Sequence, residues 1–378
     1  MLLVAEPQLG AEEEEALAQV VRSGWITMGD RVQAFEAAFS ETHGAPDAVA
    51  VSSCTAGLHL ALAALGIGPG DEVLVPSMSF VATANCVLYV GATPIFVDIE
   101  GLETPLMSLA DAARKCTPRT SAIITMHYGG CVANGEAWRE FARRRGLFLI
   151  EDAAHAAGAD GAGSYGDAAI FSFYGNKNMT TAEGGMVLAR DRATLDRIRT
   201  MRGHGMTSGT RQRLTERTAS YDVTTLGWNY RMDELRAAIG LVQLKSLRRW
   251  NERRAELVNT YRVMLREYCP EVRVALSQLP APSSHHLLPA VLPAGADRPA
   301  VMARMAERRV QTTVHYPPIH RMSLYRERFP GTALPMTEAF ARHELTLPLH
   351  PKLSDRSVKT ITMALVDALA AAPAVASR

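Results

Sequence analysis

Lys177 stands in Phe171-Ser172-Phe173-Tyr174-Gly175-Asn176-Lys177-Asn178-Met179-Thr180-Thr181-Ala182-Glu183-Gly184-Gly185. A lysine on a loop at a strand end, hemmed by Gly, Asn and Thr, can reach a pocket, whereas one on a solvated helix face does nothing specific. The chemistry open to it is amine catalysis, a Schiff base with a carbonyl. A second group is Leu149-Ile150-Glu151-Asp152-Ala153-Ala154-His155. Two acids closing an apolar run are poorly placed for structure, because an unpaired buried carboxylate is costly. A third is Val51-Ser52-Ser53-Cys54-Thr55-Ala56-Gly57, a small-residue turn opening a helix. Backbone N–H groups at a helix start, with Ser or Thr hydroxyls beside them, make a phosphate cradle.

Each stretch also has a plain structural reading. Ser and Thr are common helix caps, Asp152 can cap a helix while His155 is solvated, and Asn229 or Asp233 in Leu226–Asp233 can cap the helix that follows. Phe80, in Pro76-Ser77-Met78-Ser79-Phe80, either stacks on a planar ligand or joins the core. Taken together they fit one ligand. Lys177 supplies the amine for pyridoxal phosphate, Asp152 can hold a protonated pyridine nitrogen, and His155 can bond the ring hydroxyl. Ser172 can share the phosphate with the Cys54–Thr55 turn.

These groups must be held by an alternating chain. Apolar segments at Ala48–Val51, Glu72–Val75, Thr93–Val97, Ser121–Met126, Leu147–Ile150, Ala168–Phe173 and Met186–Ala189 predict strands. Helical patterns at Ala56–Leu65, Phe80–Tyr89, Leu109–Lys115 and Gly135–Arg145 lie between several of them. This order predicts an α/β fold with a mostly parallel sheet covered by helices, and ligands beyond the carboxyl ends of its strands. Residues 197–217, with six arginines and three glycines, read as a basic loop, either a solvated connection or one that contacts phosphate or a partner. A long helix is expected from Met232 to Tyr268, a strand from His286 to Leu292 and a last helix from Asp355 to Ala371. The expected division is a large domain over 1–250 and a small C-terminal α/β domain over 251–378.

The chain has 378 residues, 47% apolar and 21% charged, with a formal net charge of +1. That balance suits a globular enzyme and offers no electrostatic case for nucleic acid or an acidic membrane surface. The five cysteines have no metal-ligand spacing, which predicts reduced thiols and a cytoplasmic protein. No stretch has the length and character of a signal peptide or membrane span.

At these residues the chain resembles the DegT/DnrJ/EryC1/StrS family of pyridoxal-phosphate-dependent sugar aminotransferases. The resemblance runs over nearly the whole chain. It includes Ser23–Gly29, Ser53–His59, Gly68–Val73, Gly91–Pro94, Glu151–His155, the Lys177 segment, Gly227–Asp233, His315–His320 and Leu347–Pro351. It implies the fold type I of the aspartate aminotransferase class. It implies that Lys177 forms the internal aldimine and shuttles protons, that Asp152 binds the pyridine nitrogen, and that His155 sits at the ring hydroxyl. Phe80 would stack on the ring, with Ser172 and the amides of Cys54 and Thr55 on the phosphate. Asn229 would reach the phosphate of the neighbouring subunit in a homodimer with shared sites. Thr27, His315, Tyr316 and His320 would meet the substrate.

The implied reaction is ping-pong, from L-glutamate to a keto sugar through the pyridoxamine form. The expected acceptor is a nucleotide-linked 4-keto-6-deoxyhexose, with a 3-keto sugar nucleotide or a keto-cyclitol as alternatives. The family's sugar dehydratases carry histidine in place of the lysine, so Lys177 argues against that branch. A non-catalytic relative would not need Asp152, His155, Ser172 and Lys177 together. Three departures bear on substrate identity: a short Gly158–Gly166 segment, no acid in Gly130–Asn134, and Ala182 where glycine is commoner.

Overall fold

The computed structural model describes residues 1–132, 134–208 and 220–371. Seven strands form the central sheet: β1 (Val49–Val51), β2 (Glu72–Pro76), β3 (Thr93–Val97), β4 (Thr120–Met126), β5 (Phe148–Asp152), β6 (Ala168–Ser172) and β7 (Gly185–Ala189). Their order is β1-β7-β6-β5-β4-β2-β3. β2 to β6 pair in parallel, and they are buried along most of their length, as expected of strands covered by helices on both faces.

β7 is the exception. It runs antiparallel to both β6 and β1. The connection from Ser172 to Gly185 holds no helix, so the chain returns beside the strand it has just left instead of crossing over. A second sheet, of order β10-β9-β8, is antiparallel: β8 (Arg273–Val274), β9 (Leu288–Val291) and β10 (Glu344–Leu347).

The helix Glu234–Tyr268 is 35 residues long, roughly 50 Å. Asp233 caps it by accepting the Arg236 N–H at 2.9 Å, which is why it starts just after the Met232 expected from periodicity. Its first half packs into the core beside the large sheet through Ala237 and Leu247, and its second half joins a separate core of Leu257, Tyr261 and Leu265 with β9 and β10. Gly240 lies where the ring of Phe35 crosses it, and a Cβ there would meet that ring at 2.6 Å. The Glu234 carboxylate accepts the amides of Gly29, Arg31 and Val32, so the long helix also caps the helix Asp30–Thr42.

The expected loop over 197–217 is corrected at its start, because Arg192–Met201 is helical. Arg197 and Arg199 lie on that helix, and Arg199 pairs with Asp47 at 2.8 Å. Arg202 is buried against Glu36 at 2.5 Å. These three arginines are used internally. Arg211, Arg213 and Arg217 lie outside the described residues. Among the described residues no helix is long and apolar enough to cross a membrane.

Candidate active site

The antiparallel return of β7 assembles one end of the site. Gly185 is paired with Ser172 of β6 on one side and with Val51 of β1 on the other. Ser172 and the turn after Val51 therefore flank one residue, with the β6 and β1 backbones roughly 10 Å apart. A Cβ on Gly185 would lie 2.8 Å from the Cys54 nitrogen, so only glycine lets the turn press this close. The turn opens the helix Cys54–Ala64, and Ser53 Oγ accepts the Ala56 N–H at 3.1 Å. The amides of Cys54 and Thr55 precede it in the first turn, where no intrahelical acceptor exists.

Asp152 closes β5 and is 3% exposed. Its Oδ2 accepts from Thr83 Oγ1 at 2.7 Å and its Oδ1 accepts the Ala154 N–H at 3.2 Å. Burial pushes its pKa up, with Thr83, Ala154 and Lys177 pulling the other way. Its strand end thus holds a carboxylate short of one full partner. Thr83, anchored by Ser79 Oγ at 2.6 Å, was not singled out in the sequence. The signal was present: Thr83 lies in the first turn of the helix Ala82–Tyr89, three residues after Phe80.

The Lys177 loop is tied down on both sides. Phe173 N donates to Gly184 O at 3.0 Å, Thr181 N to Phe173 O at 2.9 Å, and Asn178 Nδ2 to Asn251 Oδ1 and Ser284 O, each at 2.7 Å. Ala182 sits at φ 67°, which explains why glycine is commoner there. Among the described residues the Lys177 amine has no hydrogen-bond partner. Burial pushes its pKa down to about 8, against the pull of Cys54 and Asp152.

Phe80 is 57% exposed, and its ring lies 6.1 Å from that of Tyr316. An aromatic so open at a buried site is a stacking surface rather than core. The Tyr316 hydroxyl lies 2.9 Å from His155 Nε2. His155 Nδ1 accepts the Gly129 N–H at 3.3 Å, so the ring's own proton is on Nε2 and points at Tyr316. The rings of His155 and His286 are 4.4 Å apart.

A family model for the DegT/DnrJ/EryC1/StrS aminotransferases matches residues 7–366. The chain belongs to this family. Similar solved structures include the aminotransferase TlmJ from Streptoalloteichus hindustanus, 35% identical with a TM-score of 0.91, covering 98% of this chain and 99% of that one. DesI, solved in the presence of its TDP-sugar product, is 31% identical with a TM-score of 0.87 over 98% and 93%. The sugar aminotransferase Spr1654 from Streptococcus pneumoniae is described as putative and was solved in PLP and PMP forms. Its PMP form is 28% identical with a TM-score of 0.89 over 97% and 98%. The chain is a pyridoxal-phosphate-dependent sugar aminotransferase of fold type I.

The residues of this aminotransferase fit that cofactor. A buried carboxylate short of a cation, an amine without an acceptor, an exposed aromatic and a helix-start cradle closed by Gly185 all face one edge of the sheet.

Three expected site residues stand elsewhere within the single chain. Thr27 and Asn229 are exposed, and among the described residues no hydrogen bond ties their side chains to Lys177. Asn229 bridges Gly203 through its backbone. His320, expected at the substrate, is buried, with Nδ1 2.7 Å from Ser77 Oγ and Nε2 3.1 Å from Glu338. Both ring nitrogens are taken, so in this chain His320 props the Ser77 turn that leads to Phe80.

Glu151, the other acid of the pair, is structural. Its carboxylate lies 2.8 Å from His127 Nε2 and accepts the amides of Gly163, Tyr165 and Gly166 at 3.0, 2.8 and 2.6 Å. It thereby orders the short Gly158–Gly166 segment without a hairpin. Burial pushes its pKa up, but His127 and the amides outweigh this and hold it below its usual value. Glu151→Ala is expected to cost about 3 kcal/mol or more in denaturant melts, since it strands several buried donors. The folded state binds this proton less readily than the unfolded chain. The stabilisation from Glu151 is therefore present above the unfolded pKa and lost as pH falls through the folded one.

Proposed function

We propose that this aminotransferase moves the amino group of L-glutamate to a nucleotide-linked 4-keto-6-deoxyhexose in two half-reactions, ping-pong. The observation that carries the transamination reading is Lys177 itself: an amine near neutrality, beside the buried Asp152, where the dehydratase branch has histidine. Bound pyridoxal phosphate supplies the electron sink and carries the amino group between the two substrates.

The chain's own residues divide the rest. Asp152 would hold the pyridine nitrogen protonated, its carboxylate oriented by Thr83 and the Ala154 amide. Ser172 with the Cys54 and Thr55 amides would hold the phosphate, and Phe80 would cover one ring face. His155, fixed by Gly129 and Tyr316, would stand at the ring hydroxyl. Lys177, its amine brought by burial to a pKa of about 8, would be the group that accepts and returns the proton of the amino donor's α-carbon. His315 and Tyr316 border the acceptor.

In a homodimer with shared sites, Asn229 would reach the partner's phosphate and Thr27 the substrate; the exposure of both in the single chain supports this reading. The cysteines are all free, as suits a reducing cytoplasm. The nucleotide-sugar acceptor is supported by DesI, which was solved with a TDP-sugar product.

The test is a panel of keto substrates offered to the pyridoxamine-loaded enzyme, read by return of the cofactor's visible absorption. A nucleoside-diphosphate 4-keto-6-deoxyhexose is expected to restore it fastest. Restoration only by a 3-keto sugar nucleotide or by a free keto-cyclitol overturns the acceptor assignment.

A further inference from the structure

A chain of hydrogen bonds runs from His315 to a buried acid. His315 Nδ1 lies 2.9 Å from Thr346 Oγ1, and Thr346 Oγ1 lies 2.5 Å from Glu344 Oε1. The other carboxylate oxygen accepts the His315 N–H at 3.0 Å. Glu344 and Thr346 are two apart on β10, so their side chains share one face of the strand. The bridge between Thr313 and Thr346 holds the His315 segment against that face. Both side chains are fully buried. His315 is only half-buried, lines a small cavity with Asn176, His286 and Thr346, and lies within reach of the Lys177 charge. Its Nε2 has no hydrogen-bond partner among the described residues.

A hydroxyl has one proton, so Thr346 can donate in only one direction. If Glu344 is ionised, Thr346 donates to it and must accept from His315 Nδ1–H, leaving Nε2 as a bare acceptor. If Glu344 is protonated, it donates to Thr346, Thr346 donates to Nδ1, and Nε2 carries the hydrogen. The tautomer of His315 is thus coupled to a carboxyl it does not touch with its ring. The other polar groups facing Glu344 are the hydroxyls of Tyr128 and Tyr316 and the guanidinium of Arg298, which bonds the Glu344 carbonyl at 2.9 Å. Burial pushes Glu344 up to about 8, with Thr346, the His315 amide and Arg298 opposing. Burial and then the Lys177 charge push His315 down to about 4, so its imidazole is neutral at pH 7.

We propose that Glu344 and Thr346 are positioning residues that store a proton for His315 and let its Nε2 protonate the oxygen leaving the keto carbon. This rests on the keto-sugar reading above. In the step, Nε2–H breaks and a bond from that proton to the substrate oxygen forms. The Thr346 proton moves to Nδ1, and the Glu344 proton moves to Thr346 Oγ1. Three bonds to hydrogen break and three form, and the net change is one proton from Glu344 to the substrate oxygen. Solvent or the amino-donor half-reaction returns it.

The test combines imidazole nitrogen NMR of the holoenzyme with single-turnover kinetics. In the wild type, His315 is expected to pass from the Nε2–H to the Nδ1–H tautomer as pH rises through about 8. Glu344→Gln places a permanent donor against Thr346 and is expected to hold Nε2–H throughout. Thr346→Val cuts the chain and removes the transition, and Thr346→Ser restores it. The half-reaction with the keto sugar is expected to slow at least about tenfold in Glu344→Gln and Thr346→Val, and to recover in Thr346→Ser. If Glu344→Gln does not fold, the valine and serine variants carry the test. A wild-type tautomer independent of pH, or a transition that survives in Thr346→Val, overturns the relay. A transition lost without any slowing overturns the proton-donating role. The NMR result needs no acceptor, so an intact transition in an enzyme that aminates no keto sugar overturns the substrate reading and leaves the relay standing.

Discussion

Lys177→Ala is expected to be colourless when purified with pyridoxal phosphate, and to lose transamination by at least about 10⁴-fold, roughly 5.5 kcal/mol of transition-state stabilisation. The argument starts from the amine. Burial pushes its pKa to about 8, so near neutrality roughly a tenth is uncharged, against a few parts in ten thousand for an unshifted lysine. The gain is a few-hundredfold in reactive amine before any positioning is counted. Positioning then comes from the loop, which is bonded to Gly184, Thr181, Asn251 and Ser284 and so holds the amine at the sheet edge. The sign of the shift also sets a pH dependence. Reaction of the cofactor-free protein with pyridoxal phosphate is expected to quicken as pH rises through about 8 and then level off, followed by the growth of visible absorption. Lys177→Arg is the control for charge. Its guanidinium stays protonated and is expected to be as inactive as alanine. Turnover in either variant at wild-type rates would remove Lys177 from the mechanism.

Asp152→Asn carries the second large effect, and it works in opposite directions on activity and stability. Asn can keep the bond from Thr83, so the shape of the site is preserved and the cofactor is expected to bind. A neutral amide cannot hold a protonated pyridine nitrogen, so turnover is expected to fall by about 10³-fold, roughly 4 kcal/mol. Without cofactor the balance reverses. Burial raises the folded-state pKa of Asp152 above its unfolded value, so in the cofactor-free protein it destabilises the fold once pH exceeds the unfolded pKa. Cofactor-free Asp152→Asn is expected to melt at higher denaturant than the cofactor-free wild type, by about 1–3 kcal/mol at neutral pH. Activity assays and paired melts check the two halves. Unchanged turnover would reject the electron-sink role, and a lower apoprotein stability would reject the buried, uncompensated carboxylate.

Sequence patterns alone located most of the framework. Strands and helices of the alternating region fell within a residue or two of their apolar runs, because burial on both faces leaves continuous runs that periodicity reads well. Lys177, Asp152 and the Cys54–Thr55 turn were legible for a related reason: a polar group at the end of a buried strand is anomalous unless it is used. The family was legible from motifs over most of the chain.

Pairings between distant segments were not legible. The antiparallel return of β7, which sets Ser172 and the Cys54 turn on either side of Gly185, depends on strand order, and strand order leaves no local pattern. Thr83 behind Asp152, Glu151 at the centre of the 163–166 amides, and His320 spent on Ser77 and Glu338 are all contacts over long sequence separations. The same holds for Glu344, which in the sequence is one acid before an apolar run and in the fold sits behind Thr346 and His315. Residue type and burial pattern determined which groups could do chemistry; only the packing of separate elements decided which of them share a proton, a phosphate or a structural bond.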